Sequence, residues 1–232
     1  MLDCMANPKQ ELEVLYEDNH VLVINKPAEL PTMGAPAGVE TVLDVAKRYI
    51  KLKYDKPGNV YLGVVSRLDA PVTGALLIAR TSKAASRLSK QFRDRSVEKT
   101  YLAIVEGRPA EREATLQHWL RKDDRHRRMH VTMKDIETAQ QATLQYKVQR
   151  ELARDCALLE VKLETGRKHQ IRVQLSAIGH PIVGDRKYKS NNLEFKPGIA
   201  LHSHRLVFEH PVKQDEIRIE AETPDSWTRW LA

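Results

Sequence analysis

Short apolar runs, closed off by turn-forming residues, alternate along the chain with a few amphipathic stretches. Residues 12–16 and the run Val21-Leu22-Val23-Ile24, separated by Glu17-Asp18-Asn19, predict two strands joined by a tight turn. Asn25-Lys26-Pro27 ends the second of them. After Thr41, the residues Val42, Val45, Ala46, Tyr49 and Ile50 recur at helical spacing, so a helix capped by Thr41 with one buried stripe is expected. The breaker cluster Lys56-Pro57-Gly58-Asn59 precedes an expected strand over 60–65. Next comes a polar, turn-rich stretch, 66–74, and then an apolar strand over 75–79, which delivers Asp69 near a strand end. Thr81 or Ser82 caps a helix that turns Ala84, Ala85, Leu88 and Phe92 inward and leaves Lys83, Arg87, Lys90 and Arg93 outside.

Farther along, 100–105, 143–148 and 158–163 read as strands. The charged run 120–130 is too polar for a core and predicts an exposed loop or hairpin arm. Gly179 and Pro181 terminate a helix over 168–178 with Ile171, Leu175 and Ile178 on one side, although the alternation Gln-Ile-Arg-Val-Gln-Leu also permits a strand. Sheet and helix therefore interleave, and the expected class is mixed α/β (α+β). With no internal repeat and no linker, the expected organisation is an N-terminal extension, 1–10, followed by one domain over 11–232. A chain of 232 residues can bury roughly 70% of its unfolded surface without disulfides or metals.

Composition narrows the class further. Only Cys4 and Cys156 occur, with no Cys-x-x-Cys, so neither a disulfide framework nor a structural zinc site is expected and a reducing cytoplasm fits. The start, MLDCMANPKQELEV, lacks the pattern of a signal peptide, and no run of about 18 apolar residues occurs, so no membrane segment is expected. The net charge of +7 is unevenly spread: 80–101 and 165–189 are strongly basic, while 209–232 runs acidic. Such segregation is what a polyanion-binding face requires, although any one basic run can also be a solvated helix face.

Signatures of serine hydrolases, P-loop and dinucleotide-binding proteins, zinc proteases and base deaminases are absent. His202 and His204 have no third ligand nearby in sequence, so no metal is assigned to them. Two segments remain. Ser66-Arg67-Leu68-Asp69, with Thr73-Gly74 and an apolar strand after it, resembles the His-Arg-Leu-Asp-x-x-Thr-Ser-Gly motif of RluA-type pseudouridine synthases. Thr165-Gly166-Arg167-Lys168-His169-Gln170-Ile171-Arg172, followed by Gly179-His180-Pro181-Ile182-Val183-Gly184-Asp185, is similar to that family's second signature. The likeness continues through 23–27, Lys99-Thr100-Tyr101-Leu102-Ala103, Ala200-Leu201-His202 and His210-Pro211, covering roughly 11–231. Ser66 stands where the family carries histidine, and Val72-Thr73-Gly74 where it carries Thr-Ser-Gly. Family members often carry an S4-like RNA-binding module at the N-terminus, and none is expected here.

The resemblance implies a pseudouridine synthase fold, a largely antiparallel sheet with a central catalytic cleft, and isomerisation of a uridine in ribosomal or transfer RNA. The reaction breaks the N1–C1′ bond, turns the uracil and joins C5 to C1′. It is neither redox nor net hydrolysis, so no cofactor is demanded. By resemblance Asp69 is the catalytic carboxylate, acting as nucleophile or as base, Arg172 its cationic partner, and Tyr101 the aromatic that stacks on uracil and assists at C5. Arg67 would brace the gap left by the flipped base. Arg121, Lys122, Arg125, Arg127 and Arg128 on the arm, expected to border the cleft, and Arg167 and Lys168 would contact RNA. Lys26 and His169 are read as supporting residues. A monomer is expected. The rival readings are a noncatalytic RNA-binding protein or RNA chaperone of the same fold, and a hydrolase, for which no second carboxylate stands out in the motifs.

Overall fold

The computed structural model describes residues 12–232; the expected extension at 1–10 lies outside the described residues. β1 (Val14–Glu17) and β2 (Val21–Lys26) form the expected hairpin, and Asp18 Oδ1 closes its turn by accepting the N–H groups of His20 and Val21 at 2.8 Å each. α1 (Val42–Lys53) starts at Thr41 as expected. The Thr41 hydroxyl accepts the Asp44 N–H and the Asp44 carboxylate accepts the Thr41 N–H, a capping box that satisfies two otherwise orphaned donors. β3 is only Gly63–Val64, much shorter than the strand expected over 60–65. β4 (Thr73–Ala79) and α2 (Ser82–Asp94, capped by the Thr81 hydroxyl) follow.

β5 (Glu98–Glu106), β6 (Glu113–Asp123), β7 (Arg128–Thr132), β8 (Gln140–Leu152) and β9 (Cys156–Leu163) carry the chain across the molecule. The charged segment is thus a hairpin arm, β6–β7. The stretch that permitted helix or strand is a helix, α3 (Gln170–Ala177). β10 (Leu201–Glu209), β11 (Glu216–Glu220) and α4 (Thr228–Leu231) complete the fold. Among the described residues eleven strands form one mixed sheet in the order β1-β2-β4-β10-β5-β9-β8-β6-β7, with β11 beside β10 and β3 beside β4; β4 and β10 pair in parallel and the other pairs are antiparallel.

β2 and β4 read as continuous apolar runs because both faces of the sheet are covered there. Leu22, Ile24, Leu76 and Ile78 pack with α1 residues Val42, Val45, Ala46 and Ile50. Val21, Val23, Leu77 and Ala79 point the other way and pack with Ala84 and Leu88 of α2. A small third cluster, Leu120, Met129, Ala142, Val173 and Tyr188, seats the arm against α3 and the 3-10 turn Arg186–Tyr188. Among the described residues no helix is long and apolar enough to cross a membrane.

The start of β4 fixes where the 66–72 loop emerges. Gly74 has φ +108°, and a Cβ there would stand 2.3 Å from the Ser203 carbonyl oxygen and 2.6 Å from its nitrogen. Only glycine lets β4 run this close to β10, which explains why the loop motif ends on that residue.

Candidate active site

The 66–72 loop is held at three points. The buried Thr32 hydroxyl donates to the Leu68 carbonyl at 2.8 Å and accepts the Leu68 N–H at 3.2 Å. Lys26, fully buried, donates from Nζ to the carbonyls of Pro27 (2.6 Å), Leu30 (2.8 Å) and Ala70 (3.0 Å). The Asp69 carbonyl accepts the Val72 N–H at 3.0 Å. Burial pushes the Lys26 amine down to about 7, with Asp69 and Glu29 opposing the shift. Its three donors meet three carbonyls, so it works as a strut under the loop rather than as a group facing substrate.

Asp69 meets α3 at the loop's tip. Its Oδ2 accepts from Arg172 Nη1 at 2.7 Å and lies 3.7 Å from His169 Nε2. Arg172 is buried and bound more fully elsewhere: Nε and Nη2 donate to the two oxygens of Asp185 at 2.6 and 2.9 Å. Burial works against the guanidinium's charge, but Asp185 and then Asp69 outweigh it, and its pKa is raised. The Tyr188 ring lies under the guanidinium, 5.1 Å from centroid to Cζ. Asp185 and Tyr188 are the site residues that the sequence reading leaves without a role. Asp185 is, however, the last residue of the second signature quoted above, and that position is the signal that could have found it.

His169 opens α3 in a left-handed conformation, φ 52°. Burial, aided by the Arg172 charge and opposed by Asp69, pushes its imidazole down to about 4, so it is neutral at pH 7. The Tyr188 hydroxyl accepts the Met129 N–H at 2.9 Å and lies 2.7 Å from His169 Nδ1. With that hydroxyl donating to Nδ1, the proton of His169 sits on Nε2, the nitrogen facing Asp69. A chain of contacts thus runs from β7 of the arm to the carboxylate.

Asp69, His169 and Arg172 line a cleft of about 990 Å³. Tyr101, on β5, forms part of its wall, and burial, with the Asp69 charge adding, pushes its phenol up to about 12. Arg67, Arg167 and Lys168 also line it, with Arg67 exposed. Arg93, Arg95 and Lys99 join them, so the wall carries seven cations with Arg172, against the carboxylates of Asp69 and Glu164. The arm does not border the cleft as expected. None of Arg121, Lys122, Arg125, Arg127 and Arg128 lines it, because β6 and β7 lie at the far end of the sheet, beyond β8, and pack on α3 from outside. Lys122 pairs with Asp124, and Arg128 faces Asp123 at 3.8 Å. His202 bonds through Nδ1 to the Thr73 hydroxyl (2.8 Å) and through Nε2 to the Ala221 carbonyl (3.1 Å), a cross-link within the fold.

Residues 20–177 match the family described as RNA pseudouridylate synthase. The chain belongs to that family. The RNA pseudouridylate synthase similarity extends nearly end to end. Over 218 residues the chain is 34% identical to the dual-specificity RNA pseudouridine synthase RluA of Escherichia coli (strain K12), covering 93% of this chain and 95% of that protein. It is 36% identical over 240 residues to the ribosomal large subunit pseudouridine synthase D of Xylella fastidiosa, covering 95% of this chain and 69% of that one. The solved structure of human RNA pseudouridylate synthase domain containing 4 superposes with a TM-score of 0.75 at 27% identity, covering 94% of this chain and 92% of that one. The RNA pseudouridylate synthase fold, mixed α/β on a mostly antiparallel sheet, is the architecture described above, and the protein is an isomerase of uridine in RNA.

Proposed function

We propose that this cleft receives a single uridine flipped out of a structured ribosomal or transfer RNA, and that Asp69 is the carboxylate that reacts at its sugar. The observation that carries the reading is the 2.7 Å pair between Asp69 Oδ2 and Arg172 Nη1, set beside Tyr101 in a strongly basic wall. Arg172 Nη1 holds one oxygen of the carboxylate in place and leaves the other free, and a positioned carboxylate oxygen is what either a nucleophile or a base requires. While the N1–C1′ bond breaks, that negative charge stabilises the developing cation on the sugar. Tyr101 stacks on the freed uracil, an interaction worth about 1–3 kcal/mol per base. With its phenol protonated up to about pH 12, it is placed to hand protons on once C5 has joined C1′ and the C5 hydrogen must leave. Arg67, exposed two residues before Asp69, fills the space left in the RNA stack. Arg167 and Lys168 hold the backbone at the rim, and the arm's cations grip RNA at a distance from the chemistry. The chain acts as a monomer, in the cytoplasm, as one domain over 11–232.

Tritium release from C5-labelled uridine in ribosomal and transfer RNA transcripts tests this. Wild type should release tritium at a mappable position, and Asp69→Ala should release none while still binding RNA. Release by Asp69→Ala at the wild-type rate would remove Asp69 from the mechanism. Tight binding by the wild type without release from any transcript would favour the noncatalytic reading.

A further inference from the structure

On the rim of the cleft, the end of α2 and the start of β5 present Arg93, Arg95 and Lys99. None of the three forms an ion pair or side-chain hydrogen bond with another described residue. Asp94, which lies between the two arginines, is taken by Lys90 at 2.5 Å. Glu164, on the same wall, accepts from Gln145 at 2.8 Å. The Lys99 ammonium rests 5.8 Å from the Phe92 ring centroid, and it would be 3.6 Å from a Cβ on Gly166, so the missing side chain leaves a notch beside it. Burial and the Arg95 charge both push the Lys99 pKa down, a sign that positive charge is crowded there without compensation.

Arg95 adds an independent observation. It closes α2 with φ 60°, in the left-handed conformation where helices usually place glycine. A non-glycine residue is disfavoured there, and its side chain is one that faces the cleft. The negative end of the α2 dipole accounts for a cation at Arg93, but not for Lys99, which sits on a strand.

We propose that Arg95, Lys99 and the notch at Gly166 form a binding site for one backbone phosphate of the RNA, next to the uridine held in the cleft. The inference rests on the reading that the cleft takes a uridine of an RNA strand. A flipped nucleotide carries a phosphodiester on each side of its sugar. Arg167 and Lys168 follow Gly166 directly on the adjoining loop, so they and this site together hold the backbone beside the uridine while the base turns.

The test is a cycle between protein and substrate variants. Lys99→Gln should lower the logarithmic salt slope of RNA binding by roughly 0.7, which at 0.1 M salt is about a fivefold weaker affinity. Replacing single phosphodiesters flanking the mapped uridine by neutral methylphosphonates should cost wild type about the same at one linkage, and cost Lys99→Gln nothing more there. Lys99→Gln should raise the RNA concentration needed for half-maximal tritium release about fivefold, in step with its weaker binding. Arg95→Gly should bind RNA more weakly yet melt about 2 °C higher, because the left-handed backbone is relieved. Two results would overturn the proposal. One is that every flanking methylphosphonate costs Lys99→Gln as much as wild type; the other is that Lys99→Gln slows release at saturating RNA without weakening binding. Wild-type release, measured first, keeps these outcomes apart from a failure of the underlying reading.

Discussion

Changing Asp185 to asparagine removes one negative charge from a buried cluster while preserving its shape. The two charge-assisted bonds from Arg172, at 2.6 and 2.9 Å, each contribute about 1.5–3 kcal/mol. Asparagine can accept one of them through Oδ1, but its NH₂ group turns a second donor toward Nε or Nη2. Breaking a buried ion pair outright costs about 3–5 kcal/mol. Because Arg172 retains Asp69, the loss should fall near the lower limit, about 2–3 kcal/mol, read as a lower urea midpoint at unchanged slope. The catalytic consequence should be larger than the stability loss suggests. Released from its fork, the guanidinium can move toward Asp69, and a displacement of about 1 Å between reacting groups costs on the order of 10²-fold in rate. Single-turnover tritium release at saturating RNA should therefore drop about a hundredfold, with RNA affinity within twofold of wild type, since Asp185 lies beneath the cleft and not on its wall. Normal release together with a stability loss under about 0.5 kcal/mol would refute the claim that Asp185 positions the cation.

Two further outcomes follow from the geometry. Gly74→Ala should cost at least about 3 kcal/mol and give little folded protein, because both the backbone conformation and the 2.3 Å approach to the Ser203 carbonyl forbid a Cβ; a soluble variant with wild-type melting behaviour would contradict this. His169 and His202 each have a folded pKa of about 4, below the 6.5 of the unfolded chain. Between pH 6.5 and 4 the unfolded state binds more protons, so stability should fall as pH falls through that window, and His202→Gln should flatten the slope in pH-dependent urea titrations; an equally steep slope in the variant would oppose the assignment.

Most elements that pack on one or two apolar faces were legible. β2, β4, α1 and α2 stand where periodicity and the Thr41 and Thr81 caps place them. β3 was overestimated because a strand's edge can be shared. β10 occupies that edge of β4 at Thr73 and Gly74, leaving Ile78 and Ala79 for Val64 and Gly63. β10 itself drew attention through its histidines, not as a strand. Ser203, His204 and Arg205 interrupt its apolar pattern, and its central place is decided by partners from 73–74, 98–103 and 216–220, which no local pattern encodes. α3 was ambiguous for a related reason. Gln170, Arg172 and Gln174 are as buried as Ile171, Val173 and Leu175, so neither period shows. Gln174 Nε2 reaches the carbonyls of Leu116 and Ala142, and Gln170 reaches Thr143, contacts that exist only in the assembled sheet. The motif residues Asp69, Arg172 and Tyr101, far apart in sequence, line one cleft. The position of the arm was not legible, because it depends on the sheet continuing past β8.

The arrangement of two carboxylates around one guanidinium also carries a charge consequence. By formal charge, two carboxylates and one guanidinium sum to one negative charge in excess, and in the proposed reaction that charge faces a sugar carbon that turns positive as its base departs. In the proposed reaction, once Asp69 bonds to that carbon or takes a proton, Arg172 and Asp185 are left as a neutral pair joined by two hydrogen bonds. The cluster is therefore electrically complete in the intermediate and incomplete at rest. Arg172 also stays anchored while its partner changes state, so the site can pass through the reaction and return without rebuilding itself.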